Sequence, residues 1–253
     1  LVFVALMPVF AGRFLGVWGG RMGRGGIPVL SYFLKEGRTP QPRSPAEEGW
    51  GIKARHWTRN EALGHPLFWS MMPAIVGLSA FGTAFFFHQA HYAALNGWTH
   101  LSLVALFPVY TGLAIVSMVV SGIALDRLGT ARLIPFYQLP LVAGFLCFAW
   151  TDDLMLVAVG LAFFALSTGA NATLPNAFWA EFYGTRHIGS IKATAAAAMV
   201  LGSAIGPLVT GLLIDVGVPL DIQYVWVAGY FAAASLCIGW GIRQGRAALS
   251  VST

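Results

Sequence analysis

Six apolar stretches, none with Lys, Arg, Asp or Glu in its central part, constrain this chain more than any other feature. They run over about 67–90, 102–125, 133–150, 154–178, 191–214 and 222–242. A helix needs roughly 20 mostly apolar residues to cross the hydrocarbon core of a bilayer. The chain is 57% hydrophobic and only 10% charged, with a mean hydropathy of +0.70. A soluble domain carries about a quarter charged residues, so an ordinary water-facing surface is excluded and lipid is the expected surroundings. The fold class is therefore an all-α membrane protein with at least six transmembrane helices. A net charge of +5 raises the question of nucleic acid. The basic residues sit in short clusters between apolar runs, which suits membrane loops and gives no basic groove, so no nucleic-acid partner is expected.

Pro73, Pro108, Pro140, Pro175 and Pro207 fall within or near the ends of the runs. Membrane helices tolerate them because neighbouring groups re-satisfy the freed carbonyls. The connections alternate in sign. Arg127 and Arg132, then Arg186 and Lys192, then Arg243 and Arg246 lie on one side; the intervening connections carry Asp152, Asp153, Asp215 and Asp221 with no Lys or Arg. By the positive-inside rule the basic side, with the C-terminus and a 246–253 tail, is expected to be cytoplasmic. Cys147 and Cys237 lie in apolar runs and read as small buried hydrophobes, with neither a disulfide framework nor a metal site expected.

Residues 19–65 hold eight Lys and Arg together with Pro40, Pro42 and Pro45, and read as a basic linker on the cytoplasmic side. At its end Thr58 precedes Glu61 by three residues, the spacing of a capping box, so a short surface helix is expected to lead into the 66–245 transmembrane domain. Residues 1–18 are apolar except for Arg13 and read as a remnant of a preceding spanning helix. No leader with a cleavage site is recognisable, and a chain opening on Leu1 within an apolar run reads as cut from a longer one.

The most specific motif is Gly122-Ile-Ala-Leu-Asp126-Arg127-Leu-Gly129-Thr-Ala-Arg132. Gly122 would let helices approach closely and Gly129 would permit a tight turn. Asp126 can cap a helix or pair with an Arg, latching helix ends in one state and releasing them in another. This stretch resembles the loop signature G-x-x-x-D-R-x-G-R-R of the major facilitator superfamily, in its second-half copy, with Thr130-Ala131 departing from the basic pair. Gly202, Gly206, Pro207 and Gly211 resemble the small-residue pattern of that family's eleventh helix, and residues 181–192 resemble the turn before it. The resemblance covers about 57–245. It implies a secondary active transporter of a small molecule working by alternating access, this chain forming the second half of a 12-helix fold. Its partners would be lipid, the substrate and an N-terminal six-helix half, with no cofactor. A bacterial inner membrane is the expected location.

Intramembrane polar groups are the default candidates for a substrate path. His88, Gln89 and His91 lie toward the end of the first span, and His88 is suited to proton coupling or to an anionic substrate. Ser167, Thr168, Asn171, Thr173 and Asn176 form a polar stripe on the fourth span, serving either a cavity or hydrogen bonds between helices. Tyr110, Thr111 and Ser117 on the second span are weaker candidates. Trp150, Trp179, Trp226 and Trp240 near span ends read as an aromatic belt. Two other classes stand as alternatives. A permease subunit of an importer would need a longer coupling loop than 126–132. An intramembrane protease would need a base for Ser79, and no later span holds a central His.

Overall fold

A computed structural model describes residues 51–52, 55–151 and 153–249, without the side chains of 245–249. The expectations for 1–18, for 19–50 and for the last four residues lie outside the described residues. Helices account for nearly all of what is described. In chain order they are α1 (Arg59–Leu63), α2 (Pro66–Leu95), α3 (His100–Val104), α4 (Phe107–Leu128), α5 (Thr130–Leu133), α6 (Leu139–Ala149), α7 (Leu154–Tyr183), α8 (Ile188–Asp215) and α9 (Leu220–Leu249).

Among the described residues, five segments are long and apolar enough to cross a membrane: α2, α3 with α4, α7, α8, and α9 as far as Gln244. The third expected span differs. Its regular helix α6 has only 11 residues, about 16 Å at the α-helical rise, and is preceded by α5 and the turns at 134–138. Proline explains the break. Pro135 and Pro140 lack the N–H that a helix interior requires. Between them Phe136 N–H donates to Leu133 O and Leu139 N–H to Phe136 O, both at 3.0 Å, the three-residue step of a tighter helix. Hydropathy registers only the apolar side chains, so the run looks continuous in sequence.

The helices assemble around two aromatic and aliphatic clusters. One, at the basic end, gathers Trp57, Phe68, Phe178, Trp179, Phe182 and Tyr183. Trp179, expected in an aromatic belt, is 3% exposed and belongs to this core. The other cluster gathers Phe85, Phe145, Phe148, Phe164, Tyr224 and Phe231 at the opposite end. Phe85 and Phe148 stack there with ring centroids 4.5 Å apart. Burial is uneven. About half of the apolar window of α2 is buried, and 44% in α7 and α9, but only 11% in the α3–α4 span and in α8.

The capping box predicted from Thr58 and Glu61 is formed. Thr58 Oγ1 accepts from Glu61 N–H at 3.4 Å, and Glu61 Oε2 accepts from Thr58 N–H at 2.8 Å. Arg55 adds an ion pair to Glu61 at 3.3 Å. The Thr58 N–H holds the Glu61 carboxyl below its ordinary value of 4.5. A lowered carboxylate pKa stabilises fully above the unfolded value and ceases to do so as pH falls through the folded one, so the α1 cap should loosen only in acid. Thr58→Ala is expected to weaken α1 by about 1 kcal/mol. Amide exchange over Arg59–Leu63 should then quicken at neutral pH, with Thr58→Ser close to the parent.

Candidate functional site

Two seams between parallel helices hold most of the predicted path and packing residues. On the first, α8 lies against α2. A Cβ at Gly202 would meet Val76, and one at Gly206 would meet the backbone of Ala80. Ser79 Oγ donates to Met199 O at 2.7 Å, so this hydroxyl ties two helices together and is not poised as a nucleophile. Further along, a Cβ at Gly211 would stand 3.5 Å from His88 Nε2. Contacts 76–202, 80–206 and 88–211 advance together, so the helices run in the same direction. Pro207 lies inside α8, where it leaves the Ser203 carbonyl without its usual helical donor.

On the second seam α7 lies against α4. Gly169 is buried, and a Cβ there would meet Ala114 O, Ser117 Cβ and Met118 N. Three hydrogen bonds flank that contact. Tyr110 Oη donates to Thr168 Oγ1 at 3.2 Å, Ser117 Oγ to Leu166 O at 2.6 Å, and Ser121 Oγ pairs with Thr173 Oγ1 at 2.8 Å. Thr168 and Thr173 therefore serve the seam. Nothing in the local sequence marks Ser121, whose role comes from Thr173 on the facing helix. Thr111 is exposed.

The rest of the α7 stripe does something else. Ser167 is fully buried, and neither its Oγ nor Asn171 Oδ1 has a hydrogen-bond partner among the described residues; the same holds for Gln89 Oε1 on α2. Such buried acceptors call for a donor. Asn176 is exposed and donates to its own helix, at Ala172 O. His88 is half-buried with Nδ1 3.0 Å from Ala84 O, while His91 is exposed. No hydrogen bond joins His88 or Gln89 to the α7 stripe among the described residues.

The signature loop lies at the basic end, where α4 gives way to α5. Gly129 has φ +77° and closes α4 by donating its N–H to Leu125 O, which is the turn expected of it. Asp126 and Arg127 are exposed on the last turn of α4, and Arg132 is exposed on α5. Asp126 forms no ion pair among the described residues, where the one such pair joins Arg55 to Glu61. The close approach expected at Gly122 is not made among the described residues, since a Cβ there would meet nothing within 4 Å. A carboxylate on the carbonyl end of a helix is electrostatically unfavourable, so Asp126 adds nothing to the stability of α4 where it stands.

Bundled apolar helices of spanning length, packed along glycine seams, define a multi-pass α-helical membrane protein. The profile of the Major Facilitator Superfamily matches residues 2–207, and the chain belongs to that family of membrane transporters. The match begins well before the 57–245 stretch on which the resemblance rested, and ends within α8. A comparison with curated proteins finds no match.

Proposed function

We propose that this chain supplies one six-helix half of a secondary transporter that moves a small molecule by alternating access, and that a second six-helix bundle covers α4 and α8. The observation that carries this reading is the 11% burial of those two spans against 44–50% for α2, α7 and α9. Exposed small residues stand among the large apolar side chains of the uncovered faces, such as Val119 on α4 and Val200 on α8. Ala193, Ala196, Ala197 and Ala204 on α8 and Gly112 on α4 are exposed, and a Cβ at Gly112 or Gly122 would meet nothing within 4 Å among the described residues. Small residues mark faces that pack against helices in a membrane. Between two such halves, Ser167, Asn171 and Gln89 would offer unpartnered acceptors to a substrate with hydroxyl or N–H donors. His88 would add a group able to take a proton. Asp126, Arg127 and Arg132 would act at the cytoplasmic gate, where pairing across the halves gives Asp126 the partner it lacks here.

Uptake into proteoliposomes tests the reading. Vesicles carrying this chain alone should take up candidate substrates no faster than empty ones, and rates well above that background would overturn it. In a transporter completed by a second bundle, Asp126→Asn should slow turnover on the order of tenfold, about the contribution of one charge-assisted hydrogen bond. Protein yield should not change.

A further inference from the structure

The proline break in the third span leaves a groove of about 910 Å³ at the basic end, between the 131–139 segment and α9. Its floor on α9 is made of small residues at 232, 235 and 239, so the two walls do not close on one another. The nearest approach at Gly239 is to Pro135, whose Cβ would stand 3.7 Å from a Cβ placed there. The walls are apolar and open: Phe136 is 63% exposed, Leu236 76% and Trp240 62%. Two exposed arginines, Arg132 and Arg243, line the same groove. Ser235, 5% exposed, also lines it, and its Oγ is buried without a hydrogen-bond partner.

We propose that this groove is a binding site for an anionic phospholipid. One acyl chain would lie along Phe136, Leu236 and the small-residue floor, and the phosphate would sit between Arg132 and Arg243. The charge pattern selects this occupant. A groove that is apolar along its length and doubly cationic at its water-side end matches an anionic lipid at both ends, and basic pockets between membrane helices bind such headgroups. An apolar helix laid in the groove would leave both arginines buried and unpaired, whereas a lipid phosphate meets them. The groove is built on α9 and the 131–139 segment and shares only Arg132 with the proposed gate, so a lipid there does not require that the chain transport.

Tryptophan quenching tests it directly. The 253-residue chain would be placed in nanodiscs containing brominated phosphatidylglycerol or brominated phosphatidylcholine, and the Trp240 signal isolated by difference from Trp240→Phe. Each arginine near the surface favours an anionic lipid by about fivefold, so half-maximal quenching should need about 25-fold less phosphatidylglycerol than phosphatidylcholine. Arg243→Gln should reduce that preference about fivefold without unfolding the chain, because the side chain is exposed. Gly239→Phe, which fills the floor, should abolish the preference for phosphatidylglycerol and leave only the quenching that exposed Trp240 receives equally from bulk lipid. Equal quenching by the two lipids, or a preference unchanged in Arg243→Gln, would make the groove ordinary lipid-facing surface and overturn the proposal. Absence of Trp240 quenching in the parent would mean that protein covers the groove, and would overturn it equally.

Discussion

Replacing Gly206 with valine is expected to lower the thermal midpoint of the chain by roughly 6–12 °C. The obstacle is backbone. A side chain at 206 would press on the carbonyl, Cα and C of Ala80, and no rotamer change in α2 can move those atoms aside. The two long helices would have to separate, losing the Gly202 contact with Val76 and straining the 2.7 Å bond from Ser79 to Met199 O. Overpacking of this kind costs about 1–3 kcal/mol, and displacement of a whole helix places it at the upper end. At about 2–4 °C per kcal/mol for a chain of this size, that gives the stated range. Gly211→Ala is the control on the same helix. The nearest atom to its new methyl is His88 Nε2 at 3.5 Å, an ordinary contact, so the midpoint should move by no more than a degree or two. Equal midpoints for the two variants would mean that α2 and α8 are not in the contact described.

The same magnitudes rank the interactions on the second seam. Hydrogen bonds between membrane helices average about 0.6 kcal/mol and reach about 1.7, so Tyr110–Thr168, Ser117–Leu166 O and Ser121–Thr173 together rival a single close-packed glycine. Gly169 permits all three, because the helices cannot come within hydrogen-bond reach if a side chain stands between Ala114 and Ser117. The hydroxyls set register; the glycine sets distance.

This ordering explains what the sequence made legible. Spans appear in hydropathy because lipid selects composition over some twenty residues, and α2, α7 and α8 begin within three residues of the expected starts, while α2 and α7 run five residues past the expected ends. Gly202 and Gly206 were recognisable because they repeat at helical spacing in one run. Gly169 was not, since nothing local separates it from the other glycines among the 30 in the chain; its role comes from Ala114 and Ser117 on another helix. The polar stripe was visible as a stripe, but its division between seam residues (Thr168, Thr173) and unpartnered ones (Ser167, Asn171) depends on where α4 lies. The interruption of the third span follows from two prolines five residues apart, a signal present in the sequence once Pro135 is weighed with Pro140.

The linker gives the second large effect. Composition marks 19–65 as basic and proline-rich, yet its last residues are part of the folded core. Trp57 is 7% exposed. Its backbone N–H donates to Tyr183 O at 2.9 Å, and its indole N–H donates to Ile52 O at 3.0 Å. Its ring stands edge-on to His65 and Tyr183. Arg55 covers the ring at 4.5 Å, and Arg186 N–H reaches His56 Nδ1 at 3.4 Å. The segment is thereby fastened to the turn between α7 and α8. Trp57→Ala should cost this docking about 3–5 kcal/mol, the usual range for a buried aromatic. The loss should be largely local, because the two glycine seams and the aromatic cluster at the opposite end do not include Trp57. Limited trypsin digestion reads it: cleavage after Arg55 and Arg59 should accelerate by at least tenfold, while the thermal midpoint of the bundle stays within a few degrees. Gly184→Ala should act in the same direction from the other side, since Gly184 has φ +75° and a methyl there would meet the His56 ring. If neither variant exposes the two arginine sites, residues 51–58 are not held against the α7–α8 turn. If both also lower the bundle midpoint by as much as Gly206→Val, the docked segment is a structural part of the bundle and more than a strap laid on its basic end.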